Sequence, residues 1–582
     1  MKLLMKSLIN TYLLKLALYV LSIATAASGF IYSSGVIAKL VNPKLVLQIT
    51  VDQLRGDMPA AFLDKMPKGG FKYLLNDGVV YKDAHHNHAN TETIVGHSTI
   101  ATGALPAVHG MIGNVWYDDK LQRLVYNVED SRYPLLSANA DVNQKTEIDP
   151  TQRTAKSSGR SPSNIQVSTF SDEMMIASNG KAKVFGVSVK DRGAISMAGH
   201  MGKAFWFSKK SGEFVTSEYY YDKYPEWVLA WNAEKPTEKY HQQTWQLSQP
   251  KSSYVFGKQD DQAWETKLPG FGRTFPHQYG DMTNDYFNTF LTLSPAGDEL
   301  TLNFAKAVVN NEHLGKDNIT DYLSVSFSST DYVGHIFGPS SLEAEDNMLR
   351  LDRTIADLLK FIDKKVGLEN TLIVLSADHG AAEVPAYLSS LGMKKNVVAP
   401  KEWDKAPSMK VLKKQFGFDT ALIKSYFHPY IYLDRDLIAR RKLSLEQVQK
   451  VVAAEVSKFD GVALAVTSTD IESGNTSQDY LHTLVANNHS ENRSGDIYIV
   501  LEAHRFVADM EGLSVASTHG SPWGYDTFVP LVFAGFNIDD DIIYQRVSTT
   551  DIAVTLSAIL GIKAPSGAQG KVLIEVINQL ND

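Results

Sequence analysis

The sequence contains no cysteine among its 582 residues. This absence excludes disulfides, a thiol nucleophile, iron–sulfur clusters and any metal site built on thiolates. It also excludes a bacterial lipoprotein anchor, which is attached through a cysteine. A metal site in this chain must therefore use histidine nitrogens and carboxylate oxygens.

The chain also lacks an excess of positive charge. Its formal net charge is −8, and no long basic run interrupts the sequence. Because nucleic-acid binding depends on a basic face, we expect no nucleic-acid partner. The composition, with 44% hydrophobic and 21% charged residues, is typical of a globular protein. A chain of this length can form several domains, or one large core with insertions.

The N-terminal segment has no apolar run long enough for a comfortable membrane span of about 20 residues. It carries three lysines, then the apolar stretch Leu16–Ile23 and the small residues Ala24, Thr25 and Ala26. This order is typical of a signal peptide. We predict a Sec-type signal peptide over residues 1–27 of a bacterial chain that is periplasmic or secreted, without stable membrane association after cleavage. A retained N-terminal anchor is the alternative.

Five apolar runs rich in β-branched residues predict buried strands. They are residues 44–51, 183–189, 322–328, 371–376 and 529–535. Helical periodicity lies between some of them, for example over residues 342–366. This alternation predicts an α/β fold, a three-layer α/β/α sandwich with a central, mostly parallel sheet.

One catalytic domain is predicted over residues 44–582, with insertions at about 201–290 and 384–510. Both regions are irregular in their hydrophobic pattern, and we expect them to cover the functional site. The first is rich in aromatic residues around Trp206–Trp231, which we expect to shape access for part of the substrate.

Ionisable residues follow four of the predicted strands at the point where each strand ends. In open α/β sheets, ligands bind outside the carboxyl ends of the strands, so these side chains are expected to meet at one edge. A further histidine precedes the fifth strand. Aspartate and histidine together are a ligand set that Zn²⁺ prefers. The residues are Asp52, Lys190, Arg192, Asp331, His335, Asp378, His379 and His519.

The order of these motifs resembles the alkaline phosphatase superfamily. The shared features are an aspartate after the first strand, a threonine-led helix, D-x-x-x-H-x-x-G-P, D-H-G after a strand and a late T-H-G. They run from about residue 44 to about residue 560. The most similar branch is that of monomeric alkaline phosphatases with a threonine nucleophile, and the related nucleotide pyrophosphatase/phosphodiesterases share the same metal motifs.

The resemblance implies a monomer that binds two Zn²⁺ ions. One ion would be held by Asp331, His335 and His519. The other would be held by Asp52, Asp378 and His379, with the nucleophilic Thr93 as a further ligand. Two Zn²⁺ carry +4 and three aspartates −3, which leaves +1 before Lys190 and Arg192 are counted. A locally positive pocket in an acidic protein suits an anionic substrate.

Three hydroxyl groups near the predicted helix start are candidates for the nucleophile: Thr91, Thr93 and Ser98. A helix N-terminus favours a phosphate group, and Ser98 lies more than a turn inside the helix. Physical arguments alone do not decide whether Thr91 or Thr93 is the nucleophile. The resemblance selects Thr93, which precedes the sequence IVGH, and it assigns Asn114 to phosphate binding.

The remaining histidines of this region are expected to have other roles. His97 and His109 lie among small residues, and we predict local packing or hydrogen bonding for both. His85, His86 and His88 look like a metal cluster, but the family has no ligands there. We therefore expect a structural or site-adjacent role for them.

The predicted substrates are small-molecule phosphate monoesters. Lys190 and Arg192 resemble the K-x-R pair of threonine-type monoesterases, which implies that both bind the phosphate of the substrate. Extra cations stabilise the loose transition state of a monoester dianion. The resemblance thus implies an exported, zinc-dependent alkaline phosphatase with a phosphothreonine intermediate. Two alternatives stay open: a phosphodiesterase or nucleotide pyrophosphatase with the same di-zinc site, and an inactive exported binding protein. A sulfatase is less expected. The sulfatases of this superfamily use a formylglycine made from cysteine or serine, whereas this site has a threonine.

Overall fold

A nine-stranded mixed sheet forms the centre of the structure, a computed structural model that describes residues 42–510 and 513–581. The predicted signal peptide, residues 1–27, lies outside the described residues. The strands are β1 (Leu45–Val51), β2 (Val79–His85), β3 (Val115–Asp118), β4 (Arg123–Tyr126), β5 (Val184–Ser188), β6 (Lys203–Ser208), β7 (Glu213–Val215), β8 (Thr244–Trp245), β9 (His277–Gln278), β10 (Asp321–Phe327), β11 (Thr371–Ser376), β12 (Ile423–Phe427), β13 (Tyr430–Leu433), β14 (Val462–Thr467), β15 (Ile497–Leu501), β16 (Asp509–Met510), β17 (Leu513–Ser514), β18 (Phe528–Ala534) and β19 (Asp541–Ser548).

Helices of four to 24 residues connect and flank these strands. Across the described ranges, none of them is long and apolar enough to cross a membrane. They are Met58–Ala61, Phe71–Asn76, Thr93–Thr102, Pro106–His109, Pro150–Arg153, Phe170–Ala177, Asp191–Ala198, Glu226–Ala233, Phe287–Thr292, Pro295–Asn311, Ser329–Phe337, Leu342–Lys365, Pro385–Ser390, Pro407–Phe416, Arg435–Arg440, Leu445–Val456, Ser468–Glu472, Tyr480–Asn488, Gly524–Thr527, Asp551–Leu560 and Ile574–Asn581.

The sheet has the order β19-β2-β18-β11-β1-β10-β5-β6-β7. Its centre is parallel, because β11, β1, β10, β5 and β6 pair in parallel register. All five strands predicted from the sequence are present, with ends within one residue of the prediction. The predicted α/β fold with a mostly parallel central sheet is therefore confirmed.

Side chains of the central strands alternate between two hydrophobic cores. Leu45, Leu47 and Ile49 of β1 pack into one core, whereas Val46 packs into the other. The first core includes residues of the helices Pro295–Asn311 and Leu342–Lys365, and the second includes residues of Phe170–Ala177 and Asp551–Leu560. Burial of both faces explains why these strands read as continuous apolar runs.

Strand β18 runs antiparallel to β11, and Leu531 lies opposite Ser376. The beginning of β18 therefore lies at the same sheet edge as the ends of β11, β1 and β10. Because of this direction, the segment that precedes β18 reaches the edge where ligands bind in open α/β sheets.

The two regions predicted as insertions differ in how they join the sheet. In the region 201–290, β6 and β7 extend the nine-stranded sheet. Trp206 of β6 is buried, and Trp227 and Trp231 pack against the core. The expectation that Trp206–Trp231 shapes substrate access is wrong, because these aromatic side chains complete the core beside the sheet and do not line the large cavity described below.

The region 384–510 forms a separate four-stranded sheet with the order β12-β13-β15-β14. It has a hydrophobic core of its own, which includes Trp403, Met409, Val452 and Ile499. Part of this region lies beside the carboxyl edge of the central sheet, where it contributes one wall of a cavity.

Candidate active site

Three aspartates meet at the carboxyl edge of the central sheet. Asp52 follows β1, Asp331 lies in the helix Ser329–Phe337 after β10, and Asp378 follows β11. Each is at most 2% exposed. The backbone N–H of Asp52 donates a hydrogen bond to the Phe327 carbonyl, at 2.9 Å, which joins the ends of β1 and β10. The parallel register thus concentrates three carboxyl groups in a buried space.

Asp331, His335 and His519 form one group that can hold a metal ion. Asp331 Oδ1 lies 3.2 Å from His335 Nε2 and 3.4 Å from His519 Nε2. Asp331 and His335 are four residues apart on one helix, so both side chains point from the same face. His519 comes from the segment before β18, which the antiparallel direction of that strand brings to this edge.

A second group consists of Asp52, Asp331 and His379. His379 Nε2 lies 3.5 Å from Asp52 Oδ1 and 3.5 Å from Asp378 Oδ2. The resemblance implied Asp378 in place of Asp331 as the third member of this group. In the structure, Asp378 Oδ2 lies 3.1 Å from His97 Nδ1, so its carboxylate is shared between two histidines. Asp331 stands between the two groups.

Backbone carbonyl groups fix the same ring orientation in the three candidate ligand histidines, His335, His379 and His519. The Nδ1–H of His335 donates to the Ser517 carbonyl at 2.8 Å, that of His519 to the Thr91 carbonyl at 2.8 Å, and that of His379 to the Gly380 carbonyl at 2.9 Å. Each Nε2 then faces the carboxylates. Such a backbone bond to the opposite ring nitrogen orients a metal-binding histidine.

The donor atoms fit a divalent cation such as Zn²⁺. Asp52 Oδ1 and His379 Nε2 are buried and have no hydrogen-bond partner among the described residues. Buried polar atoms are normally hydrogen-bonded, and coordination of a metal would satisfy both. The set of carboxylate oxygens and imidazole nitrogens is the one that Zn²⁺ prefers.

The Lys190 ammonium lies between two of the carboxylates. Its Nζ is 2.8 Å from Asp52 Oδ2 and also contacts Asp331 Oδ2. Burial raises the pKa of Asp52, and repulsion by Asp378 raises it further, while Lys190 lowers it only in part. Burial alone would raise the pKa of Asp331, but attraction to His335 and Lys190 holds it well below its usual range. One lysine therefore offsets only part of the negative charge.

The helix Thr93–Thr102 begins at the site and distinguishes the three hydroxyl candidates. Thr93 is its first residue, and Arg192 Nη2 lies 3.4 Å from Thr93 Oγ1. The Thr91 hydroxyl donates to the Ser521 carbonyl at 2.9 Å and so serves the segment that carries His519. Ser98 is buried in the interior of the helix. The geometry favours Thr93 as the hydroxyl that faces a substrate.

Arg192 is oriented by partners that the sequence did not reveal. Its Nη1 donates to Asp149 Oδ2 at 2.8 Å and to the Tyr126 hydroxyl at 3.3 Å. Burial alone would lower the pKa of Arg192, but attraction to Asp149 holds it well above its usual value. The second guanidinium nitrogen is left to face Thr93.

Asn114 is held beside the start of the same helix. Its Oδ1 accepts a hydrogen bond from the backbone N–H of Ile94, at 3.1 Å. Its own backbone N–H donates to the Glu92 carboxylate. Burial raises the pKa of Glu92 to about 7, against the lowering effect of that bond. Because the oxygen of the Asn114 amide faces the helix N-terminus, its amide nitrogen is left to donate.

Gln53 is a further residue that sequence reasoning missed. Its backbone N–H donates to Asp378 Oδ1 at 3.1 Å, and its Nε2 donates to Asp331 Oδ1 at 2.9 Å. It adopts a left-handed backbone conformation with φ of 65°. A Cβ at Gly334 would lie 1.7 Å from Gln53 Oε1, so the glycine of D-Y-V-G-H makes room for this side chain.

His97 makes the local hydrogen bonding that the sequence predicts and also contacts distant residues. Its Nδ1 lies 2.9 Å from the Thr93 carbonyl and 3.1 Å from Asp378 Oδ2, and its Nε2 lies 2.9 Å from Ser326 Oγ. It thereby links the Thr93 helix to Asp378. His109 makes local contacts to Thr99 Oγ1 and to the Met111 N–H.

The histidines of the HHNH sequence belong to neither group of candidate metal ligands. His85 contacts Asp83 and Thr527 through its two ring nitrogens, and His86 contacts the Ala377 carbonyl. Burial lowers the pKa of His86 to about 4, so it is neutral at physiological pH. His88 is buried beside them.

A large α/β fold with two Asp/His groups and a hydroxyl at a helix N-terminus suits a phosphoryl-group hydrolase, and comparison with known proteins places the chain in this class. Residues 46–522 match the family described as Type I phosphodiesterase / nucleotide pyrophosphatase, and the chain belongs to this family.

Relatives align over almost the whole chain. Alkaline phosphatase PafA of Elizabethkingia meningoseptica is 37% identical over 542 residues, which cover 92% of this chain and 95% of PafA. The crystal structure of wild-type PafA matches with a TM-score of 0.83 at 35% identity, over 92% of this chain and 99% of that one. A protein of Myroides odoratus named calcium-transporting ATPase is 34% identical over 564 residues, covering 96% and 99%. Alkaline phosphatase PhoV of Synechococcus elongatus is 33% identical over 549 residues, covering 92% and 94%.

The close approach of the Thr93 helix to Asp378 depends on Gly96. A Cβ at this position would lie 1.9 Å from the Asp378 carbonyl oxygen. We expect Gly96→Ala to displace the helix and to lower the free energy of unfolding by about 1–3 kcal/mol, as overpacking usually does. Thermal unfolding measures this effect. Gly524→Ala is the control, since a Cβ there meets no atom within 4 Å. Equal melting temperatures for both variants would contradict the proposed close contact.

Proposed function

We propose that the protein is a zinc-dependent alkaline phosphatase that hydrolyses phosphate monoesters through a phosphothreonine at Thr93. The observation that carries this proposal is the position of Thr93. It begins a helix beside two groups of candidate metal ligands that share Asp331, with the Arg192 guanidinium 3.4 Å from its hydroxyl. Relatives named alkaline phosphatases, similar over more than 90% of the chain, support the same activity.

The metal-binding residues in this proposal are Asp331, His335 and His519 for one zinc and Asp52, Asp378 and His379 for the other. Zn²⁺ bound there would supply Lewis acidity, which lowers the pKa of a neighbouring hydroxyl and stabilises charge on a leaving oxygen. The shared position of Asp331 and the two-histidine environment of Asp378 are compatible with a pair of adjacent ions.

The residues of the chain position the phosphate. The free N–H groups at the start of the helix Thr93–Thr102 favour an anion at Thr93. Arg192 and the Asn114 amide donate to its non-bridging oxygens, and their partners Asp149 and Ile94 fix the direction of both donors. Preorganised donors of this kind stabilise the charge that develops during transfer.

The reaction proceeds in two displacements. The Thr93 oxygen bonds to phosphorus while the bond from phosphorus to the ester oxygen breaks. The proton of the Thr93 hydroxyl ends on the departing oxygen, which leaves as the alcohol. Water then attacks the phosphothreonine, releases inorganic phosphate and restores the hydroxyl. Thr93 thus acts by covalent catalysis, which divides one difficult step into two easier ones.

The location and assembly are part of the same proposal. The signal-like N-terminus and the absence of cysteine suit an exported bacterial enzyme that works as a monomer on small soluble esters. The main alternative activity is phosphodiester hydrolysis, which the description of the matched family includes.

Metal content gives a direct test of the cofactor. We expect about two zinc ions per chain by elemental analysis, since two ligand groups converge on the site. Dialysis against a chelator should abolish hydrolysis of p-nitrophenyl phosphate, and added Zn²⁺ should restore it. Full activity in a protein with almost no zinc bound per chain would refute the zinc assignment. Two bound zinc ions without any turnover would instead favour the inactive binding protein.

A matched pair of threonine variants tests the nucleophile. Thr93→Ala should lower kcat by a factor on the order of 10⁴ or more, because it removes the attacking oxygen. Thr91→Ala should stay within about tenfold of the wild type, because it removes only a bond to the Ser521 carbonyl. Acid quenching with labelled substrate should trap phosphate on the wild type and not on Thr93→Ala. Comparable losses in both variants would refute the assignment.

Arg192 tests the preference for monoesters over diesters. Arg192→Ala should lower kcat/KM for p-nitrophenyl phosphate by about 10²–10³, the usual cost of removing one oxyanion donor. We expect a smaller loss for bis-p-nitrophenyl phosphate, whose second ester group leaves one fewer charged oxygen to bind. ATP should be tested as a substrate beside these two esters. A wild type that prefers the diester, with an equal loss for both esters in the variant, would favour a phosphodiesterase.

A further inference from the structure

A cavity of about 540 Å³ is lined in part by the residues proposed to bind phosphate and metal. Asn114, Arg192 and His519 lie on one side of it. The other side is built by the region 384–510, which carries the separate four-stranded sheet. A phosphate held beside Thr93 therefore has its ester group directed into a space between two parts of the chain.

The wall from the region 384–510 is apolar. Its exceptions are Lys401 and Glu402, which are exposed, and the imidazole of His428. Ile148 and Ile336 face the cavity from the catalytic side. The main apolar residues of this wall are Val397, Val398, Tyr426, Phe427, Phe506 and Val507.

The wall is fixed relative to the metal-ligand residues. His428 Nε2 donates to the Gly520 carbonyl at 3.0 Å, and Gly520 follows His519 directly. The Tyr426 hydroxyl lies 3.0 Å from His428 Nδ1 and completes this chain of hydrogen bonds. The Val398 N–H donates to the Phe506 carbonyl at 2.9 Å and joins two parts of the wall. The cavity is thus formed before a substrate arrives.

We propose that this cavity binds an apolar alkyl or aryl group on the alcohol side of a phosphate monoester. The proposal rests on the phosphatase activity proposed above and names its preferred substrate class. A sugar or other polyhydroxyl group would lose hydration against this wall and find few partners in return. An alkyl or aryl group loses no such hydrogen bonds and gains from leaving water.

Chain length gives the expected size of the effect. Each fully buried methylene improves binding roughly fourfold. Contacts with a non-reacting chain are made before and during the reaction, so they lower KM and leave kcat nearly unchanged. Between ethyl and hexyl phosphate, which have similar leaving-group pKa values, we expect KM to fall by at least about tenfold.

The experiment compares the zinc-loaded enzyme on ethyl, butyl and hexyl phosphate and on glycerol phosphate. Falling KM along the alkyl series, with glycerol phosphate no better than ethyl phosphate, supports the apolar site. Equal KM across the series, or better use of glycerol phosphate, overturns it. Hydrolysis of ethyl phosphate is the internal reference. If none of the esters were hydrolysed, the proposed phosphatase activity would be contradicted instead of the apolar site.

Two surface valines of the same region provide matched variants. Val397 lines the cavity and is 52% exposed, whereas Val411 is 65% exposed and does not line it. Both can become serine without opening the core. Val397→Ser should raise KM for hexyl phosphate about threefold and leave ethyl phosphate unchanged, and Val411→Ser should change neither. Identical values for both variants and the wild type would overturn the placement of the alkyl group against Val397.

Discussion

The burial of three carboxylates at one sheet edge is the constraint on which the rest of the structure depends. Asp52, Asp331 and Asp378 are almost entirely shielded from water. An ionised carboxylate in such a place costs several kcal/mol unless cations or hydrogen-bond donors compensate it. Lys190 supplies one positive charge between two of them. A cation held by the candidate metal ligands would neutralise the charge that Lys190 leaves uncompensated, so metal binding would also stabilise the fold.

Much of the surrounding structure serves this charge balance. Gln53 gives one hydrogen bond to Asp378 and another to Asp331, and it does so from a left-handed conformation. His97 connects Asp378 to the backbone of Thr93, so the helix that offers its N-terminus is tied to the carboxylates. Thr93 and the candidate metal ligands are therefore positioned by one network, and a displacement of either affects both.

The strands and their ends could be predicted because each central strand is buried on both faces. Such strands read as continuous apolar runs, and the residue that breaks the run marks the carboxyl edge. Asp52 and Asp378 were found in this way. The choice between Thr91 and Thr93 could not be made from spacing, because it depends on a hydrogen bond from Thr91 to Ser521, which lies 430 residues away. Asp149 and Glu92 were missed as well, because their partners Arg192 and Asn114 lie 43 and 22 residues away and no local spacing links them.

The prediction that the aromatic region shapes substrate access was wrong for a physical reason. Trp206, Trp227 and Trp231 have a composition that suits either a substrate cleft or a core, and the hydrophobic pattern alone does not distinguish the two. The structure uses them to close the core beside β6 and β7. The walls of the cavity come instead from less conspicuous valines and phenylalanines in the region 384–510.

That region is stabilised by a hydrophobic core separate from those of the central sheet. Phe427 of the cavity wall, however, packs against a second core, which joins Tyr430 and Tyr498 of this region to Ile94 and Val95 of the helix Thr93–Thr102. A change in the shape of this wall therefore reaches the helix that begins at Thr93, so the form of the cavity and the position of Thr93 are coupled. The hydrogen bond from His428 to the Gly520 carbonyl adds a polar link between the same two parts of the chain.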